Sequence, residues 1–158
     1  MIKNAGAFGW MCDFGEYLPF DAKVAGGDAE RIHNEFPTFW AKINQKALEK
    51  TGMENEIMYF MRSSWLETPG MAGQWWLGDQ LTSWDHYDGM RSALNALLNL
   101  PFSGVMSAHS DIGGYSVLDF PIIYYVRTKE LLMRWAEMSA FSDSIMRPHP
   151  GSNPGACA

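Results

Sequence analysis

Short apolar runs of strand length alternate along this sequence with amphipathic stretches of helical period, and that alternation restricts the fold more than any other feature. Residues 7–12 form an apolar run closed by Asp13, the signature of a buried parallel strand. Between residues 28 and 50, Ile32, Phe36, Phe39, Trp40, Ile43 and Ala47 recur at helical spacing, predicting an amphipathic helix ended by Gly52. Residues 57–61 predict a second strand closed by Arg62, and residues 74–77 a third closed by Gly78-Asp79. A helix is expected over 85–98, with Met90, Ala93, Leu94 and Leu97 facing inward and Pro101 stopping it. Residues 103–108 predict a fourth strand running into His109-Ser110-Asp111. A last helix over 127–140 carries Leu131, Leu132, Trp135 and Met138 on one stripe, and residues 143–146 predict a fifth short strand ending near His149.

Strands and helices in this order make a parallel α/β fold. Asp13, Arg62, Asp79, Asp111 and His149 each lie just past the expected C-terminal end of a strand. In a (β/α)8 barrel those ends converge on the face where the chemistry is done. The expected architecture is therefore a partial (β/α)8 TIM barrel, about five parallel strands with interleaved helices, over residues 1–150. Residues 151–158 are expected to be a disordered tail.

Composition narrows the partners. A net charge of −6 with no Lys/Arg cluster argues against nucleic acid. The longest apolar runs fall far short of the ~20 residues that span a bilayer, so no membrane partner is expected. No signal segment is evident and the compartment stays open. Cys12 and Cys157 make neither a disulfide framework nor metal-ligand spacing, and no metal or organic cofactor is expected. Aromatic residues make up 14% of the chain, seven of them Trp, enough to fill a core and also to supply platforms for sugar rings.

Glycoside hydrolysis needs two carboxyl groups flanking the scissile bond, and Asp13 and Asp79, on different strand ends, are the best-placed pair. Turn chemistry is the alternative for each, since Asp is common at strand ends. The flanks are more specific. Gly9-Trp10-Met11-Cys12-Asp13-Phe14-Gly15-Glu16-Tyr17-Leu18-Pro19 resembles the nucleophile segment of glycoside hydrolase family 31. Trp76-Leu77-Gly78-Asp79-Gln80, then Ser83-Trp84-Asp85, is similar to its acid/base segment. Met61-Arg62-Ser63 and His109-Ser110-Asp111-Ile112-Gly113-Gly114-Tyr115 are similar to its sugar-contacting arginine and its substrate loop. All four motifs stand in the family's order, from about Gly9 to His149.

The resemblance implies a retaining α-glycosidase of α-glucosidase type, hydrolysing O-glycosyl bonds of a carbohydrate by double displacement. Asp13 would be the nucleophile and Asp79 the general acid/base, a donor role that calls for a raised pKa. Arg62, Trp76, Asp111, Tyr115 and His149 would bind the sugar, with Glu16 and Gln80 supporting them from behind. Trp76 is equally readable as core, and Asp111 as a turn residue before Gly113-Gly114. His149 departs from the family's usual flanks, standing between Pro148 and Pro150. Gln80, Gly15, His109-Ser110 and Tyr115 resemble the sulfoquinovosidase-like branch, the alternative substrate class. The resemblance also implies further barrel strands and an N-terminal β-sandwich in a full-length protein; a truncated, inactive fragment is the remaining alternative.

Overall fold

The computed structural model describes residues 2–152 and divides into two compact units, Met1–Trp75 and Trp76–Ala158. In the first unit, α1 (Ile2–Ala5) precedes three parallel strands, β1 (Gly9–Cys12), β2 (Met58–Met61) and β3 (Gln74–Trp76), the last residue of β3 being the first of the second unit. Gly9 stands opposite Met58 and Cys12 opposite Met61; Phe60 pairs with Gln74 and Met61 with Trp75. The strands are buried as the apolar runs require, with Cys12, Tyr59, Met61 and Trp75 all shielded. Burial also pushes the Cys12 thiol up to about 12, so it is an inert packing group.

The long helix expected over 28–50 is two pieces, α2 (Ala29–Ile32) and α3 (Phe36–Glu49). Pro37 enforces the break. It has no N–H to offer the carbonyl of His33, and its ring would collide with that carbonyl in a continuous helix. At the start of α3 the same residue costs nothing, because first-turn N–H groups have no partner inside the helix. Asp28 caps α2 by accepting from the Glu30 N–H at 3.1 Å. Asn44 on α3 reaches the sheet, its Oδ1 accepting from the Trp10 indole N–H at 2.9 Å. A single 3-10 turn, Thr68–Gly70, occupies the connection before β3.

The second unit holds α4 (Met90–Asn99), β4 (Ala108–His109), β5 (Leu118–Asp119), β6 (Tyr124–Tyr125) and α5 (Lys129–Ser142). Leu77, just past β3, donates its N–H to the carbonyl of His109 at 3.1 Å. The core of this unit is Ala93, Ile112, Leu131 and Trp135, flanked by Leu77, Met90, Leu132 and Met138. Met90 and Ala93 belong to the first inward stripe read from the sequence, and Leu131, Leu132, Trp135 and Met138 make up the second; Leu97 of the first stripe is buried outside this cluster and Leu94 is only half-buried. Thr128 opens α5, its hydroxyl accepting from the Leu131 N–H at 3.1 Å.

Four expectations need correction here. The helix expected from 85 begins at Met90, because the Asp85 carboxylate accepts from the N–H groups of Tyr87 and Asp88, both at 2.8 Å, and locks a turn instead. The strand expected over 103–108 shrinks to Ala108–His109, since Pro101 turns the chain through a 3-10 element, Leu100–Ser103, closed by Gly104. No fifth strand forms over 143–146. The segment makes single contacts instead, Ser144 N–H to Ala108 O at 2.8 Å and Ile112 N–H to Arg147 O at 3.2 Å. Pro148 and Pro150 have no N–H with which to extend a ladder. In place of a strand, a single parallel bridge of Pro148 with Ile112 immediately precedes His149. An antiparallel hairpin, β5 with β6, was not expected at all.

Within the expected tail, the Ser152 N–H donates to Tyr115 O at 2.8 Å. Residues 153–158, including Cys157, lie outside the described residues.

Candidate active site

In the first unit, β1 and β2 end side by side, because Cys12 pairs with Met61, and so deliver Asp13 and Arg62 together. The Arg62 Nη1 is 3.1 Å from Asp13 Oδ1, while its Nε and Nη2 both reach Glu16 Oε1, at 2.9 and 2.6 Å. Burial works against the charged guanidinium, but the two carboxylates outweigh it and hold Arg62 above its ordinary value, always charged. The guanidinium also lies 4.5 Å from the centroid of Phe14 and 5.7 Å from that of Tyr17.

A strained loop makes this possible. Phe14 is held at a φ of 62° and Gly15 at 95°. The Phe14 N–H donates to Asp13 Oδ1 at 2.9 Å, and the Ser63 hydroxyl ties down Phe14 O at 2.8 Å. The reversal brings Glu16 back onto Arg62 just three residues after Asp13. Asp13 and Glu16, from one segment singled out in the sequence, and Arg62, from another, form one charge cluster.

In the second unit, Asp111 is fully buried and accepts through Oδ1 from both the Trp76 indole N–H, at 3.0 Å, and the Arg147 guanidinium. Arg147 stands 5.5 Å from the centroid of the Trp76 ring. Burial pushes the Asp111 carboxyl up to about 6, against the opposing pull of Arg147, Trp76 and Arg127. Asp79, exposed just beyond β3, adds to the rise by like charge.

Tyr115 and His149 meet edge to face, ring centroids 4.8 Å apart. Burial lowers the His149 pKa, helped by the charges of Arg147 and Arg127. Gln80 is buried behind Asp79, its side-chain N–H donating to Leu77 O at 2.8 Å and its backbone carbonyl accepting from the N–H groups of Tyr115 and Ser116, each at 2.8 Å. The Gly113-Gly114 turn has φ of 87° and 79°, and a Cβ at Gly114 would stand 2.6 Å from Leu81 O. Arg127, buried, bonds the carbonyls of Gly113 and Gly114 and that of His149, joining the turn to the His149 segment.

Three residues of this network escaped the sequence reading. Arg147, just beyond the strand expected over 143–146, was passed over, although a buried Asp111 demands a cation or strong donors nearby. Asp143 accepts from both the N–H and hydroxyl of Ser110, at 2.8 and 2.9 Å, and Ser110 in turn accepts from Trp135 Nε1 at 2.9 Å. Arg127 offered no signal beyond its place before a helix.

Parallel strands separated by helices, with ionisable groups just past their C-terminal ends, define a partial α/β barrel of the enzyme type. Sequence comparison makes the class specific: the profile of the glycosyl hydrolases family 31 TIM-barrel domain matches residues 1–155, and the chain belongs to that family. It is 45% identical over 151 residues to the sulfoquinovosidase of Escherichia coli strain K12, and 42% identical over 154 residues to that of Agrobacterium fabrum. These alignments take in 95% and 97% of the chain but 22% of each relative, so the chain spans about a fifth of their length. A solved family 31 sulfoquinovosidase from E. rectale, in complex with an aza-sugar inhibitor, matches 99% of the chain and 24% of its own, with a TM-score of 0.90 and 38% identity.

Proposed function

We propose that the protein carrying this chain is a retaining α-glycosidase that hydrolyses sulfoquinovosides, with Asp13 as nucleophile and Asp79 as general acid/base. The observation that carries the substrate class is the 45% identity to a sulfoquinovosidase over 95% of the chain. It moves the substrate away from the neutral α-glucosides expected from the sequence. Tyr115 and Gln80, which resemble that branch, support the same choice.

In the first step the Asp13 carboxylate attacks the anomeric carbon while the bond to the leaving oxygen breaks and Asp79 supplies its proton. In the second, Asp79 takes a proton from water, whose oxygen displaces Asp13 and restores the carboxylate. Two inversions leave the α configuration unchanged. Arg62 is suited to orient the nucleophile, because its planar fork engages Asp13 on one side and Glu16 on the other.

The test uses the intact protein with aryl α-sulfoquinovoside and aryl α-glucoside. The sulfonated substrate should have the higher kcat/KM, with an α product; a preference for the glucoside would return the substrate to the neutral class. Asp79→Asn should keep its first step on an activated aryl glycoside, stall, and be rescued by azide to an α-azide. Asp13→Asn should give no such α product. Azide rescue of Asp13→Asn to an α product, with none for Asp79→Asn, would reverse the two roles.

A further inference from the structure

We propose, on the reading of this chain as part of a glycosidase, that Arg147 is a positioning residue: Asp111 holds it against the face of Trp76 and so fixes the indole in one plane within the sugar site. Torsion about the bond to an aromatic ring is broad, so a ring is set by what touches its edge and face. Trp76 has both restraints in one place. Its N–H edge is bonded to Asp111 Oδ1 at 3.0 Å, and the cation bonded to that same oxygen stands 5.5 Å from its ring centroid. One carboxylate oxygen therefore couples the two.

Asp111 is suited to this role by its seclusion. It has no exposed surface even in this stretch of chain alone, and further protein could only add cover. Its second oxygen, also buried, has no hydrogen-bond partner among the described residues, so both of the donors it engages converge on the first. It acts through Trp76 and Arg147.

Among the described residues, the charges that act on Asp111 are those of Arg147 beyond α5, Arg127 before α5 and Asp79 beyond β3. Removing Arg147 leaves a buried carboxylate with Asp79 as a like charge and with Arg127 in support. Its pKa must then rise, since an adjacent opposite charge lowers a carboxyl pKa by ~1–3 units.

The experiment is fluorine NMR of the intact protein labelled with 5-fluorotryptophan, the Trp76 resonance being assigned by Trp76→Phe. In the wild type that resonance should titrate with a midpoint of about 6, the value at which Asp111 takes a proton. Asp111→Asn should abolish the titration, and Arg147→Met should raise its midpoint by about one unit or more. A Trp76 resonance that ignores pH, or the same midpoint in Arg147→Met, overturns the proposal. Arg147→Lys keeps the charge and guards against a folding failure of the Met variant. It should keep the midpoint near the wild-type value but broaden the Trp76 resonance, because an ammonium cannot stack as the planar guanidinium does.

Turnover gives a second reading. A misplacement of about 1 Å can cost ~100-fold, so Arg147→Met should lose up to that factor in kcat/KM, equally for aryl glycosides of good and poor leaving groups. Unchanged kcat/KM also overturns the proposal. A wild-type protein that hydrolyses no α-glycoside sinks the glycosidase reading itself, whereas the coupling of Arg147 to Trp76 is decided by the resonance, which needs no turnover.

Discussion

Gly15→Ala probes the loop that reverses the chain between Asp13 and Glu16. Two costs add. The residue sits at a φ of 95°, where an L side chain is strained, at about 1–2 kcal/mol for left-handed backbone. The new methyl would also stand 2.6 Å from Ser63 Oγ and 2.7 Å from Cδ1 of Trp40. Overpacking of that kind costs about 1–3 kcal/mol, for a total of roughly 2–5 kcal/mol. Ser63 cannot retreat freely, because its hydroxyl holds Phe14 O at 2.8 Å.

Gly52→Ala is the matched control. Gly52 follows α3 at a φ of 66°, and a Cβ there meets nothing within 4 Å. It should therefore cost the backbone component alone, about 1–2 kcal/mol. Urea unfolding of the two variants side by side in the intact protein reads the difference, provided the slopes match. Gly15→Ala should be the less stable by about 1–3 kcal/mol. It alone should also lose kcat/KM, by up to ~100-fold as Arg62, Asp13 and Glu16 shift. Equal midpoints and equal activity for the two variants would refute the claim that contact at Gly15 holds the loop.

The remaining predictions concern the second unit. The Asp111 carboxyl is raised from 3.8 to about 6, so the folded state binds its proton more tightly than the unfolded chain does. Its favourable contribution is full below about 4 and is lost as the pH rises through about 6. Compared with Asp111→Asn, the wild type should gain roughly 1.4 kcal/mol per pH unit on acidification across that window, read from urea midpoints. A difference that does not change with pH would place the carboxyl in a less buried state. Thr128→Ala removes the cap on the Leu131 N–H at 3.1 Å and should cost about 1 kcal/mol, with Thr128→Ser close to neutral. An equal loss for Ser and Ala would mean that the methyl group, and not the hydroxyl, matters there.

The parts of the fold that could be read from the sequence are those decided by local physics. The strand ending at Asp13, the one ending at Arg62 and the stripe of Leu131 and Trp135 are visible because apolar period alone positions them. What stayed hidden depended on side chains competing with the backbone. Asp85 spends its carboxylate on a turn, and Asp143 spends its own on Ser110, where the sequence suggested a helix and a strand. Pro37 was an available signal, since a proline ten residues into a helical stretch marks a restart. The hairpin of Leu118–Asp119 with Tyr124–Tyr125 is two residues per strand, too short for any alternation to register.

The candidate site divides on the same principle. Its anionic residues stand in compact motifs and were read at once, whereas the arginine that answers Asp111 lies 36 positions away. Arg62 was read from its place just past the second strand and from the segment Met61-Arg62-Ser63, and its pairing with Asp13 and Glu16 came only with the structure. Arg147 lies in Ile145-Met146-Arg147-Pro148, where nothing local marks it. The need for it comes from Asp111. A carboxylate without exposed surface cannot stay charged near neutral pH unless donors reach it, and the stretch before Asp111 offers none with a charge. The rule that follows is to ask, for every carboxylate placed past a strand end, which cation or set of donors meets it. Applied to Asp13 that question yields Arg62, and applied to Asp111 it leads to the segment after α5, where Arg147 is found.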